Sequence, residues 1–152
     1  MGEKVEGRLL IIGGAEDREG DCEILREVVA LAKGRGQGLV VITAASRGGA
    51  QLGREYREIF QRLGARRVRI LHVNQRERAN DPAVAVDLRR AGGIFFSGGD
   101  QLRLTSLLGG TRVEREVRRA YEGGALIAGT SAGASAMSDT MIVEGPDDDP
   151  PR

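Results

Sequence analysis

Five short apolar runs, each followed by polar or helical sequence, constrain the fold of this chain more than any other feature. The runs are Leu9–Ile12, Leu39–Ile42, Val68–Val73, Ile94–Phe96 and Ala125–Ala128. Runs of this length that are mostly continuous are typical of strands covered by helices on both faces. The alternation of strands and helices predicts an α/β fold of three layers, with a largely parallel sheet and flanking helices.

The segments between these runs carry helical periodicity. One clean apolar stripe consists of Leu52, Tyr56, Ile59, Phe60 and Leu63, and a second consists of Val113, Val117, Ala120 and Tyr121. A looser stripe runs from Ile24 to Ala32. The pair Asp81-Pro82 predicts a further helix start, because an acidic N-cap is followed by proline in the first turn. Glycines at 34, 64, 92 and 123 predict the ends of four helices.

The size and charge of the chain exclude several classes of protein. We predict one domain over residues 1–145, followed by an acidic, proline-rich and unstructured tail at 146–152. A net charge of +1 gives no general attraction to nucleic acid. No apolar run approaches the roughly 18 residues of a membrane helix, and the N-terminus has no apolar signal core. One cysteine and one histidine argue against a disulfide or a metal cage, so we expect a cytoplasmic protein without a metal.

Small residues follow four of the predicted strands. These strand tips are Gly13–Asp17, Thr43–Ser46, Ser97–Gln101 and Gly129–Gly133. In an open parallel sheet the ligand crevice lies beyond the carboxyl ends of the strands, so the four tips are expected to border one site. Glycines that merely form turns are the alternative interpretation of any single tip.

The segment Gly129–Gly133 has the pattern G-x-S-x-G. Ser131 directly follows an apolar strand and precedes a run of small residues, which is the strand–turn–helix setting of a nucleophile elbow. The flanking glycines would allow the sharp turn that exposes the serine hydroxyl. The Ala132 amide would then face a developing oxyanion, with a second donor from the Gly98-Gly99 pair. An N-capping serine in a tight loop is the alternative.

Several motifs in the same order resemble one family. The segments IIGGAED, ILHVNQRERANDP, GIFFSGGDQLRL and ALIAGTSAGASAMSDTMIVEG are similar to the cyanophycinases of peptidase family S51, which are related to peptidase E. The resemblance runs from about Arg8 to Gly145. It implies a fold like the class I glutamine amidotransferases, with flavodoxin-like topology. It also implies a serine exopeptidase that cleaves cyanophycin to β-Asp-Arg dipeptides, forms a homodimer and needs no cofactor.

The resemblance assigns roles to five residues near the predicted site. Ser131 matches the nucleophile, and Gly99 and Ala132 match positions whose amides form the oxyanion hole. Gln101 matches a residue of the substrate pocket, and Asp100 lies beside it.

The catalytic histidine and acid of the family are not carried over in the same way. The family's histidine lies in an Asp-Gln-His segment after the serine, and this sequence has no such segment. His72 lies before the serine, inside the third apolar run, and we expect it to be structural. Asp149 is the nearest match to the acid of the triad, although a solvated acidic tail explains it equally well.

Two alternatives to a cyanophycinase-like activity therefore stay open. The first is a domain that binds aspartyl or arginine-rich peptides without cleaving them, since a serine without its base is a poor nucleophile. The second is a peptidase E-like enzyme that removes aspartate from dipeptides. An unpaired edge strand would also favour association with a second copy.

Overall fold

The computed structural model describes residues 6–34, 36 and 38–142. Within them the strands are β1 Arg8–Ile12, β2 Leu39–Ile42, β3 Val68–Leu71, β4 Gly93–Phe96 and β5 Leu126–Thr130. The helices are α1 Glu23–Ala32, α2 Gly49–Arg62, α3 Arg76–Asn80, α4 Pro82–Arg90, α5 Gln101–Leu108, α6 Arg112–Glu122 and α7 Ala132–Ser135. All five predicted strands are confirmed. The predicted tail at 146–152, including Asp149, lies outside the described residues.

The strands form a single parallel sheet in the order β1-β5-β4-β2-β3. The predicted α/β fold, with helices on both faces of a parallel sheet, is confirmed. The strand order itself places β1 at an edge, whereas the flavodoxin order 2-1-3-4-5 places the first strand inside the sheet. The first and last described strands are therefore neighbours, with Ile12 paired to Thr130. This pairing places the tip of β1 beside the tip of β5.

Side chains alternate between two apolar layers. Val40 and Ile42 of β2 face the layer built with α3–α7, and Leu39 and Val41 face the layer built with α1 and α2. An aromatic cluster of Tyr56, Phe60 and Phe95 fills the second layer, with ring centroids 4.9–5.9 Å apart. Both faces of β2 and β4 are buried, which explains why these strands read as continuous apolar runs.

The edge strand β1 is covered on one face only. Ile12 belongs to the layer built with α1 and α2, and Leu10 packs against it. On the opposite face, Leu9 and Ile11 are 48% and 66% exposed. The outer edge of β1 is unpaired in the described part of the sheet. The uncovered edge expected from the sequence is therefore present.

Two of the described helices, α3 and α5, were not predicted from the sequence. The short helix α3 has one turn and a half, and α5 buries only Leu104 and Leu108, which is too few apolar residues to form a recognisable stripe. The cap specifies α5 instead: the Asp100 carboxylate accepts the Arg103 N–H at 3.0 Å. No helix in the described portion of the chain is long and apolar enough to cross a membrane.

Candidate active site

Three strand tips meet around Ser131. A β-carbon added to Gly14, after β1, would lie 3.3 Å from the Ser131 Cβ, and one added to Gly98, after β4, would lie 3.5 Å from it. The two glycines thus leave space on both sides of the serine, whose residue is exposed. Three of the four small strand tips predicted to border one site, those of β1, β4 and β5, thus meet at one edge of the sheet.

Ser131 occupies a sharp turn between β5 and α7. Its φ of 52° and ψ of −113° lie outside the common regions for a residue with a side chain. The serine itself, and not its flanking glycines, therefore carries the unusual backbone conformation. Such a conformation persists only where the surroundings hold it, and it is frequent at functional sites.

The two glycines of the motif serve close packing. A β-carbon on Gly129 would lie 2.6 Å from the Gly133 carbonyl carbon, and one on Gly133 would lie 2.5 Å from the Phe96 carbonyl oxygen. The backbone of α7 therefore rests directly on β5 and β4. This corrects the expectation that the glycines provide the turn: they let the helix approach the sheet, which positions the serine above it.

Backbone hydrogen bonds tie the turn to its neighbours. The Ser131 N–H donates to the Ile12 carbonyl at 3.0 Å, and the Ser135 N–H donates to the Ser131 carbonyl at 2.9 Å. The first bond continues the pairing of β5 with β1 beyond the last strand residue, and the second begins α7. Both peptide groups that flank Ser131 are fixed in this way.

A buried carboxylate binds the residue that precedes the serine, and sequence reasoning did not identify it. The hydroxyls of Tyr56 and Thr130 donate to the two oxygens of Glu16 at 2.5 and 2.6 Å. Burial, together with the bond to Glu16, raises the pKa of the Tyr56 phenol far above its ordinary value. The only sequence signal was the position of Glu16 in the first strand tip, two residues after Gly14.

Asp17 orders the loop that holds this carboxylate. Its side chain accepts the N–H groups of Cys22, Gly20 and Glu19 at 2.9, 2.8 and 3.0 Å. These backbone hydrogen bonds lower the pKa of the Asp17 carboxyl group. The loop after β1 is thus a turn closed on its own acidic residue, and it leads directly into α1.

The two predicted oxyanion positions are on different elements, Gly99 in the loop after β4 and Ala132 at the start of α7. Gly99 has a φ of +143°, and a β-carbon there would lie 2.3 Å from the Ala45 carbonyl oxygen, so the residue must be glycine. The Asp100 N–H donates to that same carbonyl at 2.9 Å, which fastens the β4 tip to the β2 tip. Ala132 is buried at the start of α7, immediately after Ser131. Their role as amide donors stays a prediction.

Asp100 and Gln101, predicted to contact substrate, also have structural partners. The Asp100 carboxylate caps α5, as described above, and the Gln101 side-chain amide donates to the Ile142 carbonyl at 3.0 Å. Both residues stand at the N-terminus of α5, at the same end of the sheet as Ser131. A substrate that engaged Gln101 would compete with this internal hydrogen bond.

The RERANDP segment, which contributed to the resemblance, braces the helix that carries these residues. The Arg76 guanidinium donates to the carbonyls of Ser106 and Gly109 at the end of α5, and the Asn80 side chain accepts the Arg112 N–H at the start of α6. In this structure the segment connects α3 with α5 and α6, away from the serine.

His72 is too far from Ser131 to contact it. It follows β3, which is separated from β5 by β2 and β4, and strand spacing alone places the two tips about 14 Å apart. Its Nδ1 pairs with the Thr43 hydroxyl at 3.1 Å. The described residues contain no cluster of His, Cys, Asp and Glu side chains able to hold a metal ion.

A parallel α/β sheet with an exposed serine on a positive-φ turn directly after a strand is typical of α/β proteins with a nucleophile elbow. Comparison with known proteins makes this more specific. The sequence profile of peptidase family S51 matches residues 9–152. The chain therefore belongs to peptidase family S51, as the motifs had indicated.

Similar proteins include several cyanophycinases. The chain is 41% identical to the cyanophycinase of Trichormus variabilis over 138 residues, and 40% identical to that of Synechococcus elongatus over 148 residues. These matches cover 90% and 97% of this chain but 46% of each relative. The cyanophycinase of Geminocystis herdmanii is 34% identical over 153 residues, with 56% of that protein covered. The chain thus spans about half the length of these relatives.

Solved structures of related peptidases share the fold. The crystal structure of a peptidase from an acI-B1 Actinobacterium matches with a TM-score of 0.76 and 26% identity, covering 91% of this chain and 59% of that one. A putative peptidase E protein from Listeria monocytogenes matches with a TM-score of 0.55 and 18% identity, covering 85% of this chain and 60% of its own, and it supports the fold alone.

Proposed function

We propose that this chain carries the nucleophile half of a cyanophycinase-like serine exopeptidase. Its substrate would be cyanophycin, a poly-aspartate backbone with arginine on the β-carboxyls, and its product would be β-Asp-Arg dipeptides. The single observation that supports this most strongly is the exposed Ser131 at a positive-φ turn between β5 and α7. The identity to cyanophycinases over nearly the whole chain supports the choice of substrate.

The chemistry would proceed through an ester on Ser131. The Ser131 Oγ adds to the carbonyl carbon of the scissile peptide bond, and the amides of Gly99 and Ala132 stabilise the resulting oxyanion. The carbon–nitrogen bond then breaks, and the leaving amine receives the proton that the serine hydroxyl has lost. Water hydrolyses the ester, which releases the acyl product as a carboxylic acid and regenerates the hydroxyl.

A base must carry that proton, and His72 is not placed to do so. We propose that the base comes from a polypeptide segment equivalent to the part of the relatives that this chain does not match. Free imidazole, which is the side-chain group of histidine, offers a direct test because it can enter an exposed site and accept the proton.

The test measures β-Asp-Arg release from cyanophycin by mass spectrometry, with the purified chain and increasing imidazole. Release that rises with imidazole and is abolished in Ser131→Ala is the expected result. Ser106→Ala, which alters an exposed serine on α5, is the matched control and should retain full release. Equal release by the Ser131→Ala protein would overturn the proposal.

Binding without cleavage is the second candidate function, and the distance between His72 and Ser131 favours it. Titration calorimetry with β-Asp-Arg dipeptide would then show binding, while no product forms at any imidazole concentration. A peptidase E-like specificity would instead appear as faster cleavage of α-aspartyl dipeptides than of cyanophycin.

Cytoplasmic location and homodimer formation are part of the same proposal. The unpaired edge of β1 and its exposed Leu9 and Ile11 support association with a second copy. Sedimentation velocity on the purified chain tests this expectation. A dimer that dissociates in an Ile11→Lys variant would support pairing through β1, and a monomer at all concentrations would contradict it.

A further inference from the structure

The Glu16 carboxylate connects three separate elements of the site. It stands on the loop after β1, its Oε1 accepts the Tyr56 hydroxyl of α2, and its Oε2 accepts the Thr130 hydroxyl at the end of β5. All three side chains are buried, with 9% or less of each residue exposed. A carboxylate is costly to bury, and here its two oxygens accept from two neutral hydroxyls. Stability alone is a weak explanation for such an arrangement.

The position of Thr130 links this carboxylate to the serine. Thr130 immediately precedes Ser131, so the bond to Glu16 fixes the residue on one side of the strained turn. The Ser131 N–H bond to Ile12 fixes the turn to the same β1 segment. Gly14, two residues before Glu16, packs against the Ser131 side chain. β1 and its tip therefore contact Thr130 or Ser131 at three points, and at one of them, the Glu16–Thr130 hydrogen bond, two side chains meet.

We propose that Glu16 is a positioning residue that maintains Ser131 in its positive-φ conformation by holding Thr130. The inference rests on the proposed function for its catalytic consequence, but its structural part can be measured without activity. Without the Glu16–Thr130 bond, the turn loses one of the contacts that over-determine its conformation. The serine hydroxyl then samples other positions and is presented correctly for a smaller fraction of the time.

The experiment compares Glu16→Ala, Glu16→Gln and Thr130→Val with the wild-type chain. A glutamine has the same shape and can accept from one hydroxyl while donating to the other, so Glu16→Gln is expected to restore most of what Glu16→Ala loses. Glu116→Gln is the matched control, because it changes another buried glutamate, on α6, that lies outside the site.

The first measurement is amide hydrogen exchange by NMR, which suits a chain of 16.3 kDa. In Glu16→Ala and Thr130→Val the Ser131 amide should exchange about tenfold faster or more, while the Leu126 amide at the other end of β5 stays within about twofold. Glu116→Gln should leave the ratio of these two rates unchanged. The same ratio in Glu16→Ala as in the wild type would overturn the proposal, whatever the activity.

The second measurement is imidazole-dependent cleavage of cyanophycin. Glu16→Ala should lower kcat by about 10- to 100-fold with KM within about twofold, because a misplaced nucleophile affects the chemical step more than binding. Glu16→Gln should recover most of that loss. A wild-type chain that cleaves nothing would contradict the proposed function, and the exchange ratio would then decide the role of Glu16 alone. An equal rise in KM and fall in kcat would overturn the positioning role.

Discussion

Two buried glutamates of this protein are held by opposite kinds of partner. Glu116, on α6, is bound by two arginines: Arg89 contacts its carboxylate at 2.8 and 3.0 Å, and Arg119 contacts it at 3.0 Å. Glu16 is bound by two neutral hydroxyls, one of them from the residue that precedes the exposed serine. The first is a charge neutralised by charges that reach solvent. The second accepts hydrogen bonds from two buried hydroxyl dipoles.

The difference indicates that Glu116 stabilises the fold, whereas Glu16 maintains the geometry of the site. The Glu116 cluster, which consists of Glu116, Arg89 and Arg119, joins α4 to α6. Both arginine side chains are more than half exposed, so the cluster resembles an ordinary surface ion-pair network with one buried member. The hydroxyls that donate to Glu16 belong to two residues, Tyr56 and Thr130, that are each only 3% exposed. An arrangement that depends on every partner is typical of a site that must keep one geometry.

The largest effect should come from replacing each acid with leucine. Glu16→Leu leaves two buried hydroxyls without their acceptor, which should cost about 2–4 kcal/mol of unfolding free energy. Glu116→Leu lets its arginines return to water, so the cost should be about 1 kcal/mol or less. Urea unfolding of both variants measures this. A larger loss in Glu116→Leu would break the comparison.

Removing the two hydroxyls that donate to Glu16 should lower the unfolding free energy by a smaller amount. Tyr56→Phe and Thr130→Val should each cost about 1–2 kcal/mol, and the double variant should cost less than the sum, since both act through the same carboxylate. Tyr121→Phe, on α6, is the control for removing a phenol elsewhere. Strict additivity in urea unfolding would show that the two bonds are independent.

The Glu16 cluster, which consists of Glu16, Tyr56 and Thr130, should be detectable in the titration of the Tyr56 phenol at alkaline pH. The pKa of Tyr56 is raised, first by burial and then by its bond to Glu16, so its proton stabilises the folded state. This contribution is complete below the ordinary tyrosine value of 10.0 and is lost as the pH rises above it. The difference in absorbance at 295 nm between the wild type and Tyr56→Phe should therefore stay flat through pH 11. A titration of that difference near pH 10 would contradict the prediction.

The Glu116 cluster should instead affect the pH dependence of stability at acid pH. The arginine contacts, first among them the hydrogen bonds from Arg89, lower the pKa of Glu116 below its ordinary value of 4.5. Its stabilising contribution is therefore present above pH 4.5 and is lost as the pH falls through the lowered value. The stability difference between the wild type and Glu116→Gln should be largest at pH 7 and should shrink by pH 3. A difference that is constant with pH would argue against a charged Glu116.

More of the fold than of the candidate site could be predicted from the sequence. The apolar runs predicted every strand. The runs of β2 and β4 are continuous because both faces of these strands are buried, and residues such as Leu39–Ile42 express that pattern locally. The serine motif also predicted the turn at Ser131, because the residues that form it are adjacent in the chain. The strand order and the Glu16 contacts could not be found this way, because they join positions as distant as Glu16 and Thr130. A periodic pattern within one segment carries no information about a contact between residues so far apart in the sequence.

The same limit applies to residues with two roles. Asp100 and Gln101 were predicted from the motif to contact substrate, and the structure adds the cap on α5 and the bond to Ile142. A motif preserves residue identity but does not distinguish a ligand contact from a helix cap. The glycines of the serine motif show the same ambiguity, since close packing of α7 accounts for them and turn formation does not.

The smallest effect should come from Arg119, which makes one hydrogen bond to Glu116 where Arg89 makes two. Its guanidinium is well exposed, so water and ions screen the pair, and Arg119→Gln should lower the Tm by about 1–2 °C at low ionic strength. The shift should vanish near 1 M salt, where the Debye length is about 3 Å. Thermal melts at both salt concentrations provide the measurement. A shift that survives high salt would mean that the arginine contributes through packing, and the Glu116 cluster would then resemble the Glu16 cluster more closely than its charges suggest.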